Sequence, residues 1–106
     1  MADFYIKQGD TRPALEAVLM DAKGNPVDLT GATARLHLAR NGKVVVDAPC
    51  IIVDAPAGLV RYQWAVGDTD QPGAYAAEIE VTDAGGGVET CPNNRHWLIE
   101  VVSDIA

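Results

Sequence analysis

The chain has 106 residues, of which 48% are apolar, and a formal net charge of −7. This length predicts one domain, residues 1–106, with a core of modest size, and the composition excludes a disordered chain. The eight Lys and Arg residues are dispersed, which argues against a basic nucleic-acid-binding face, and no apolar run approaches the roughly 20 residues of a membrane helix.

The first residues lack the basic start and apolar centre of a signal peptide. We therefore expect synthesis and assembly in the cytoplasm of the cell. Thiols stay reduced there, so Cys50 and Cys91 are expected to be free. A disulfide between them is the alternative.

Short segments of alternating polarity, separated by turn residues, run through the chain. Taken in order, the predicted strands are residues 4–7, 13–20, 32–40, 43–47, 50–53, 59–65, 75–81, 88–91 and 95–102. Asn41-Gly42 is a strong signal for a tight hairpin. About seven to nine strands with turns roughly every 8–12 residues predict an all-β antiparallel sandwich.

Residues 13–20 also fit a helix. Leu15, Val18 and Leu19 have helix-compatible spacing, and Asp10 or Thr11 precedes them as a candidate cap. We favour a strand and keep the helix as the alternative.

Period-two alternation in three strands predicts which side chains form the core. The expected core residues are Leu36, Leu38, Val60, Tyr62, Trp64, Tyr75, Ile79 and Val81.

A turn rich in Asp, Pro and Gly leads directly into the seventh predicted strand. Tyr75 follows Gly73 by two positions, and Asp70 lies in the acidic turn before them. This arrangement is typical of the tyrosine corner of immunoglobulin-like sandwiches. We expect the ring of Tyr75 to enter the core and its hydroxyl to bond to the backbone near residues 70–72.

The last predicted strand is apolar on both faces, with Ile99 and Val101 on one side and Leu98 and Val102 on the other. Immunoglobulin-like sandwiches often place the first and last strands side by side, so their apolar residues are expected to form an exposed patch. The alternative is that the domain itself buries both faces. The candidate interface residues are Phe4, Tyr5, Ile6, Trp97, Leu98 and Val102.

Side chains that could carry chemistry are few and scattered. His37 and His96 do not combine with Cys91 in any zinc-binding spacing, and Asp68 and Asp70 alone do not make a calcium loop. The single serine lies near the C-terminus without a His or acid at motif spacing. We therefore expect no metal, no cofactor and no enzymatic activity.

Several motifs together are similar to those of one known family. They are Tyr5-Ile6-Lys7-Gln8-Gly9-Asp10-Thr11, Leu15-Glu16-Ala17, Gly24-Asn25-Pro26-Val27-Asp28-Leu29-Thr30-Gly31-Ala32-Thr33, Gly58-Leu59-Val60-Arg61-Tyr62, Asp68-Thr69-Asp70 and Pro92-Asn93. In these the chain resembles the N-terminal domain of the phage baseplate upper protein family.

The resemblance implies an immunoglobulin-like module of a tailed-phage or prophage virion, in the tail, the baseplate or on the capsid. Its implied partners are other virion proteins and copies of itself. From the charge and the short apolar runs we expect no nucleic-acid and no membrane partner. The alternative is a carbohydrate- or receptor-binding module, with at most weak glycan contact, which needs Tyr5, Tyr62 or Trp97 to be exposed.

Overall fold

The computed structural model describes residues 2–105, which form strands and loops without any helix. The strands are β1 (Phe4–Lys7), β2 (Leu15–Val18), β3 (Thr33–Arg40), β4 (Lys43–Pro49), β5 (Ile51–Asp54), β6 (Leu59–Tyr62), β7 (Gly73–Thr82), β8 (Val88–Cys91) and β9 (Trp97–Val102). No segment among these residues is a helix long and apolar enough to cross a membrane.

The strands form two sheets, which confirms the predicted β-sandwich. Sheet A has six strands in the order β1-β9-β7-β3-β4, with β8 paired to the second half of the long strand β7. Sheet B has three strands in the order β2-β6-β5. One pairing departs from the expected antiparallel pattern, because β1 runs parallel to β9. No turn joins these two strands from opposite ends of the chain, so no hairpin imposes an antiparallel direction on them.

The predicted hairpin between β3 and β4 is confirmed. Asn41 and Gly42 both have positive φ, at 53° and 76°, and Arg40 pairs with Lys43 across the turn. Two successive residues in the left-handed region are what a two-residue type I′ turn requires.

Within residues 13–20, Leu15–Val18 form strand β2 and no residue is helical, so the helical alternative is wrong. Leu15 and Ala17 pair with β6, and the amide of Leu19 donates to the carbonyl of Gly58 at 2.8 Å. The backbone hydrogen bonds of this segment thus go to a neighbouring strand, and tertiary pairing decides a segment whose local pattern fits both structures.

The core lies between the two sheets. All eight predicted core residues are buried, which confirms the alternation read from the sequence. Ile99 and Val101 on β9 are buried with them, as are Leu19 and Leu29 from the segments around β2. Sheet B therefore covers much of the inner face of sheet A, and within residues 2–105 no second sheet lies on the outer face.

Candidate interaction surface

Strands β1 and β9 lie side by side, as the sequence predicted. Phe4 is opposite Ile99 and Ile6 is opposite Val101. Asp3 fastens the start of both strands: its amide donates to the carbonyl of Leu98, and its carboxylate accepts from the amide of Leu98, both at 2.8 Å. The hydrogen bond from the amide of Leu98 to the carboxylate, with a contribution from nearby Arg95, holds the pKa of Asp3 below its ordinary value.

The six candidate interface residues do not share one surface. Neighbouring residues of a strand point to opposite faces, so an unbroken apolar triplet such as residues 4–6 is divided between them. The inner residues are Phe4, Ile6 and Trp97, and the outer ones are Tyr5, Leu98 and Val102.

Ile6 is 4% exposed and belongs to the core, so its assignment to an interface is wrong. The ring of Phe4 packs 6.1 Å from that of Trp64, and Trp97 packs against the core from the same side of the sheet. The outer residues remain available to a partner, since Tyr5 is 54% exposed and Leu98 and Val102 are half-buried.

A row of apolar side chains crosses the outer face of sheet A from β9 to β4. Leu98 pairs with Ala76, Ala76 with Ala39, and Ala39 with Val44. Val44 is exposed and the other three are half-buried. We call these four residues the outer-face row.

Polar residues lie along one side of the outer-face row. His37 pairs with Glu78 on one side and with Asp47 on the other, and its Nε2 is 3.3 Å from the carboxylate of Asp47. Arg35 donates to that carboxylate at 2.7 Å, and this hydrogen bond lowers the pKa of Asp47. The ionised form of Asp47 is therefore favoured on this face.

The small side chains of the row leave a shallow depression of about 380 Å³. Its lining includes Ala39, Val44, Ala76, His37 and His96. An apolar centre with a polar border is the usual anatomy of a protein–protein interface. The arrangement suits contact with a protein surface better than enclosure of a small molecule.

Sequence reasoning missed three of the four residues of the outer-face row: Ala39, Val44 and Ala76. The available signal was the use of alanine at outward positions of β7, Ala74 and Ala76, where a solvated strand usually carries longer polar or β-branched side chains. The row itself depends on cross-strand register, which alternation alone does not provide.

The predicted corner residues lie at the start of β7. Tyr75 is buried, and its hydroxyl donates to the carbonyl of Gln71, within the expected window. Asp70 contributes its backbone carbonyl, which accepts from the side chain of Gln8 at 3.0 Å. Gly73, with φ of 137°, lets the backbone pass close to the guanidinium of Arg40.

The acidic turn before the corner is held by its own side chains. The carboxylate of Asp68 accepts from the hydroxyl of Tyr62 and, at 2.8 Å, from the amide of Ala65. The hydroxyl of buried Thr69 donates to the carbonyl of Asp10 at 2.8 Å. These contacts give the acidic residues a structural role in a tight loop.

Within residues 2–105, no three His, Cys, Asp or Glu side chains are grouped to hold a metal ion. Cys50 and Cys91 are free thiols. Burial raises the pKa of Cys50 to about 11 and also raises that of Cys91, so both are protonated, weak nucleophiles at neutral pH.

Comparison with known proteins agrees with the architecture. The chain is similar in structure to CopC from Methylosinus trichosporium OB3b, with a TM-score of 0.56 and 11% identity over 100% of this chain and 89% of that one. At this identity the likeness concerns the fold alone. No curated protein sequence matches the chain. The family model described as the BppU N-terminal domain matches residues 2–93. The sequence motifs and the β-sandwich agree with this match. The chain therefore belongs to the N-terminal domain family of phage baseplate upper proteins.

Proposed function

We propose that residues 1–106 act as one non-enzymatic attachment module of a tailed-phage or prophage virion, holding protein to protein in the tail or baseplate. Family membership indicates a structural component of a phage that contacts other virion proteins. The observation that carries the finer proposal is the outer-face row, an apolar line across four strands of a sheet face that no second sheet covers.

The contact surface that we propose combines the outer-face row with the outward residues of the terminal strands. Tyr5 and Val102 extend the surface beyond Leu98 toward the edge of sheet A. Half-buried alanines let a partner backbone approach closely, and an exposed tyrosine is a frequent anchor in protein interfaces. Copies of the chain arranged in a ring would repeat this contact, and repetition strengthens a weak contact.

The glycan-binding alternative receives less support from the aromatic residues. Tyr62 is buried with its hydroxyl bonded to Asp68, and Trp97 lies on the inner face of sheet A. Only Tyr5 of the three candidate aromatics is exposed, and one ring makes a poor stacking platform. A glycan array probed with the protein is expected to show no specific signal.

The test is incorporation of variants into virions. Leu98→Asp adds a charge to the outer-face row at a half-buried position, so the variant should fold and lose incorporation. Val88→Asp is the matched control, because Val88 is 62% exposed on the same sheet and lies outside the row. Both variants are supplied to a phage lacking the gene, and purified particles are quantified by mass spectrometry.

Equal incorporation of folded Leu98→Asp and Val88→Asp would overturn the assignment of the row as the contact surface. Trp97→Asp is expected to unfold, since Trp97 packs against the core. That variant therefore reports on stability and does not test the interface.

A further inference from the structure

A slot opens between the two sheets on the side where β1 and β2 are the outermost strands. Its volume is about 200 Å³, room for one large apolar side chain or two small ones. The apolar part of the lining comes from Phe4, Leu15, Ala17, Val18, Trp97 and Ile99. The carboxylate residues Asp3 and Glu16 stand at its rim.

The slot exists because the sheets differ in width. Sheet B ends at β2 after three strands, whereas the inner face of sheet A continues through β9 to β1. Phe4 and Trp97 point inward from that part of sheet A and are only half-buried. One more strand beside β2 would cover them.

The backbone of β2 is ready to pair on the side that faces the slot. Leu19 donates to Gly58, and in the same register Leu15 and Ala17 make their hydrogen bonds to β6. In an antiparallel pair the intervening residues point their N–H and C=O groups the other way. These residues are Glu16 and Val18, and β2 has no second neighbour among the strands of residues 2–105.

We propose that the free edge of β2 binds an extended segment of another protein as a fourth strand of sheet B. Its backbone would pair with Glu16 and Val18, and its inward side chains would enter the slot against Phe4 and Trp97. Strand addition of this kind takes affinity from backbone hydrogen bonds and specificity from the pockets that receive alternate side chains.

Charge identifies the chemistry of the segment. The protein carries a net charge of −7. Of the two carboxylates that line the slot, Glu16 accepts from Arg61 at 2.6 Å and Asp3 lies 3.5 Å from Arg95, so the net charge of the whole molecule is what favours a basic segment. The segment that fits has apolar residues at the inward positions and Lys or Arg at the outward positions, beside Glu16. A second copy of this chain is disfavoured as occupant, because two molecules that each carry a net charge of −7 repel.

This inference rests on the proposed function in one respect: the partner that supplies the segment is taken to be another virion protein. The slot and the outer-face row lie on opposite faces of β9, so variants at one leave the other intact. Binding in solution tests the slot, and incorporation into particles tests the row.

The probe is a synthetic heptapeptide in which lysine alternates with valine and leucine, added to the full chain at up to about 1 mM. We expect saturable binding, seen as slowed hydrogen exchange of the Glu16 and Val18 amides and a change in tryptophan fluorescence. A peptide of the same composition with its apolar residues placed together is the control and should bind at least about tenfold more weakly.

Two variants are tested, so that the result does not depend on the correct folding of a single variant. Ala17→Phe fills the slot, and Val18→Pro removes one free N–H without touching the hydrogen bonds from β2 to β6. Each should weaken binding of the peptide at least about tenfold, whereas Ala76→Phe on the outer face should leave it unchanged.

Four results would overturn the proposal. The first three are absence of binding, equal binding to the wild type and to both slot variants, and exchange protection that maps to β5 at the opposite edge of sheet B. The fourth is self-association of the wild type that Ala17→Phe abolishes, since the occupant would then be a second copy. If the wild type does not bind the peptide, while Leu98→Asp is lost from particles and Val88→Asp is incorporated, this inference is refuted and the proposed function stands.

Discussion

At the scale of single residues, the corner at the start of β7 shows how a few atoms fix a loop against the core. The hydroxyl of Tyr75 reaches back four residues to the carbonyl of Gln71, and the guanidinium of Arg40 lies 5.6 Å from the centre of its ring. A buried hydroxyl needs a partner, and the turn supplies one from its own backbone. The ring and the hydrogen bond together hold the acidic turn in place.

Removing this hydroxyl should be measurable in the stability of the protein. Tyr75→Phe is expected to lower the free energy of unfolding by about 0.5–1.5 kcal/mol, the net contribution of one hydrogen bond. Tyr5→Phe is the control, because the hydroxyl of Tyr5 makes only an exposed contact of 3.3 Å with the amide of Ala2. Urea denaturation of both variants decides the matter, and equal midpoints would contradict the role given to Tyr75.

Gly58 is closely surrounded by backbone atoms of two other segments. Its φ is +70°, and a Cβ there would lie 2.8 Å from the carbonyl oxygen of Leu19 and 2.9 Å from that of Val27. Both neighbours are backbone atoms and cannot rotate away. Gly24 has a similar φ of +83° with nothing within 4 Å of such a Cβ.

These two glycines separate a steric cost from a conformational one. Gly24→Ala should cost about 1 kcal/mol, the penalty for a left-handed alanine. Gly58→Ala should cost about 2–4 kcal/mol, because backbone clashes are added to the same penalty. Thermal unfolding of both variants measures the difference. Equal losses of stability would show that the backbone around Gly58 can shift to accommodate a Cβ.

At the scale of strands, one carboxylate adds a hydrogen bond at the start of the parallel pair of β1 and β9. Asp3 receives the amide of Leu98, and that hydrogen bond is the largest cause of its lowered pKa. A pKa that is lower in the folded protein means that the ionised form stabilises the fold. This contribution is present above the ordinary value of 3.8 and is lost as the pH falls through the lower pKa of the folded state.

Asp3→Asn should therefore flatten the acid side of the stability curve. The amide oxygen of asparagine can still accept from Leu98, so the variant is expected to fold, and its stability should change less than that of the wild type between about pH 5 and pH 2. Melting temperatures recorded across this range provide the measurement. Parallel curves for the two proteins would mean that the carboxylate contributes nothing to the pairing of the terminal strands.

The strands show how far the sequence could predict the structure. Alternation located the buried faces of β3, β6 and β7, and Asn41-Gly42 located a hairpin, because both signals are local. The outer-face row was not foreseen, since Leu98 and Val44 become parts of one line only through the register of four strands. The assignment of Ile6 to an interface failed for a related reason: a run of apolar residues does not say which member faces the core.

At the scale of the whole molecule, the sandwich has two different surfaces that we propose as contact sites. The outer-face row lies on the broad face of sheet A, and the slot lies between the sheets beside β2. A net charge of −7 opposes association between copies unless apolar contacts offset it. Such a module is suited to contact one neighbour through its face and another through its open flank.

We propose that this protein is built into the virion as an attachment module of the tail or baseplate. Labelling of purified particles with an antibody against this chain, followed by electron microscopy, tests this location. We expect label on intact particles, concentrated at the tail and its baseplate end. Label that is absent from purified particles, with the protein recovered only in the soluble fraction of the lysate, would contradict it.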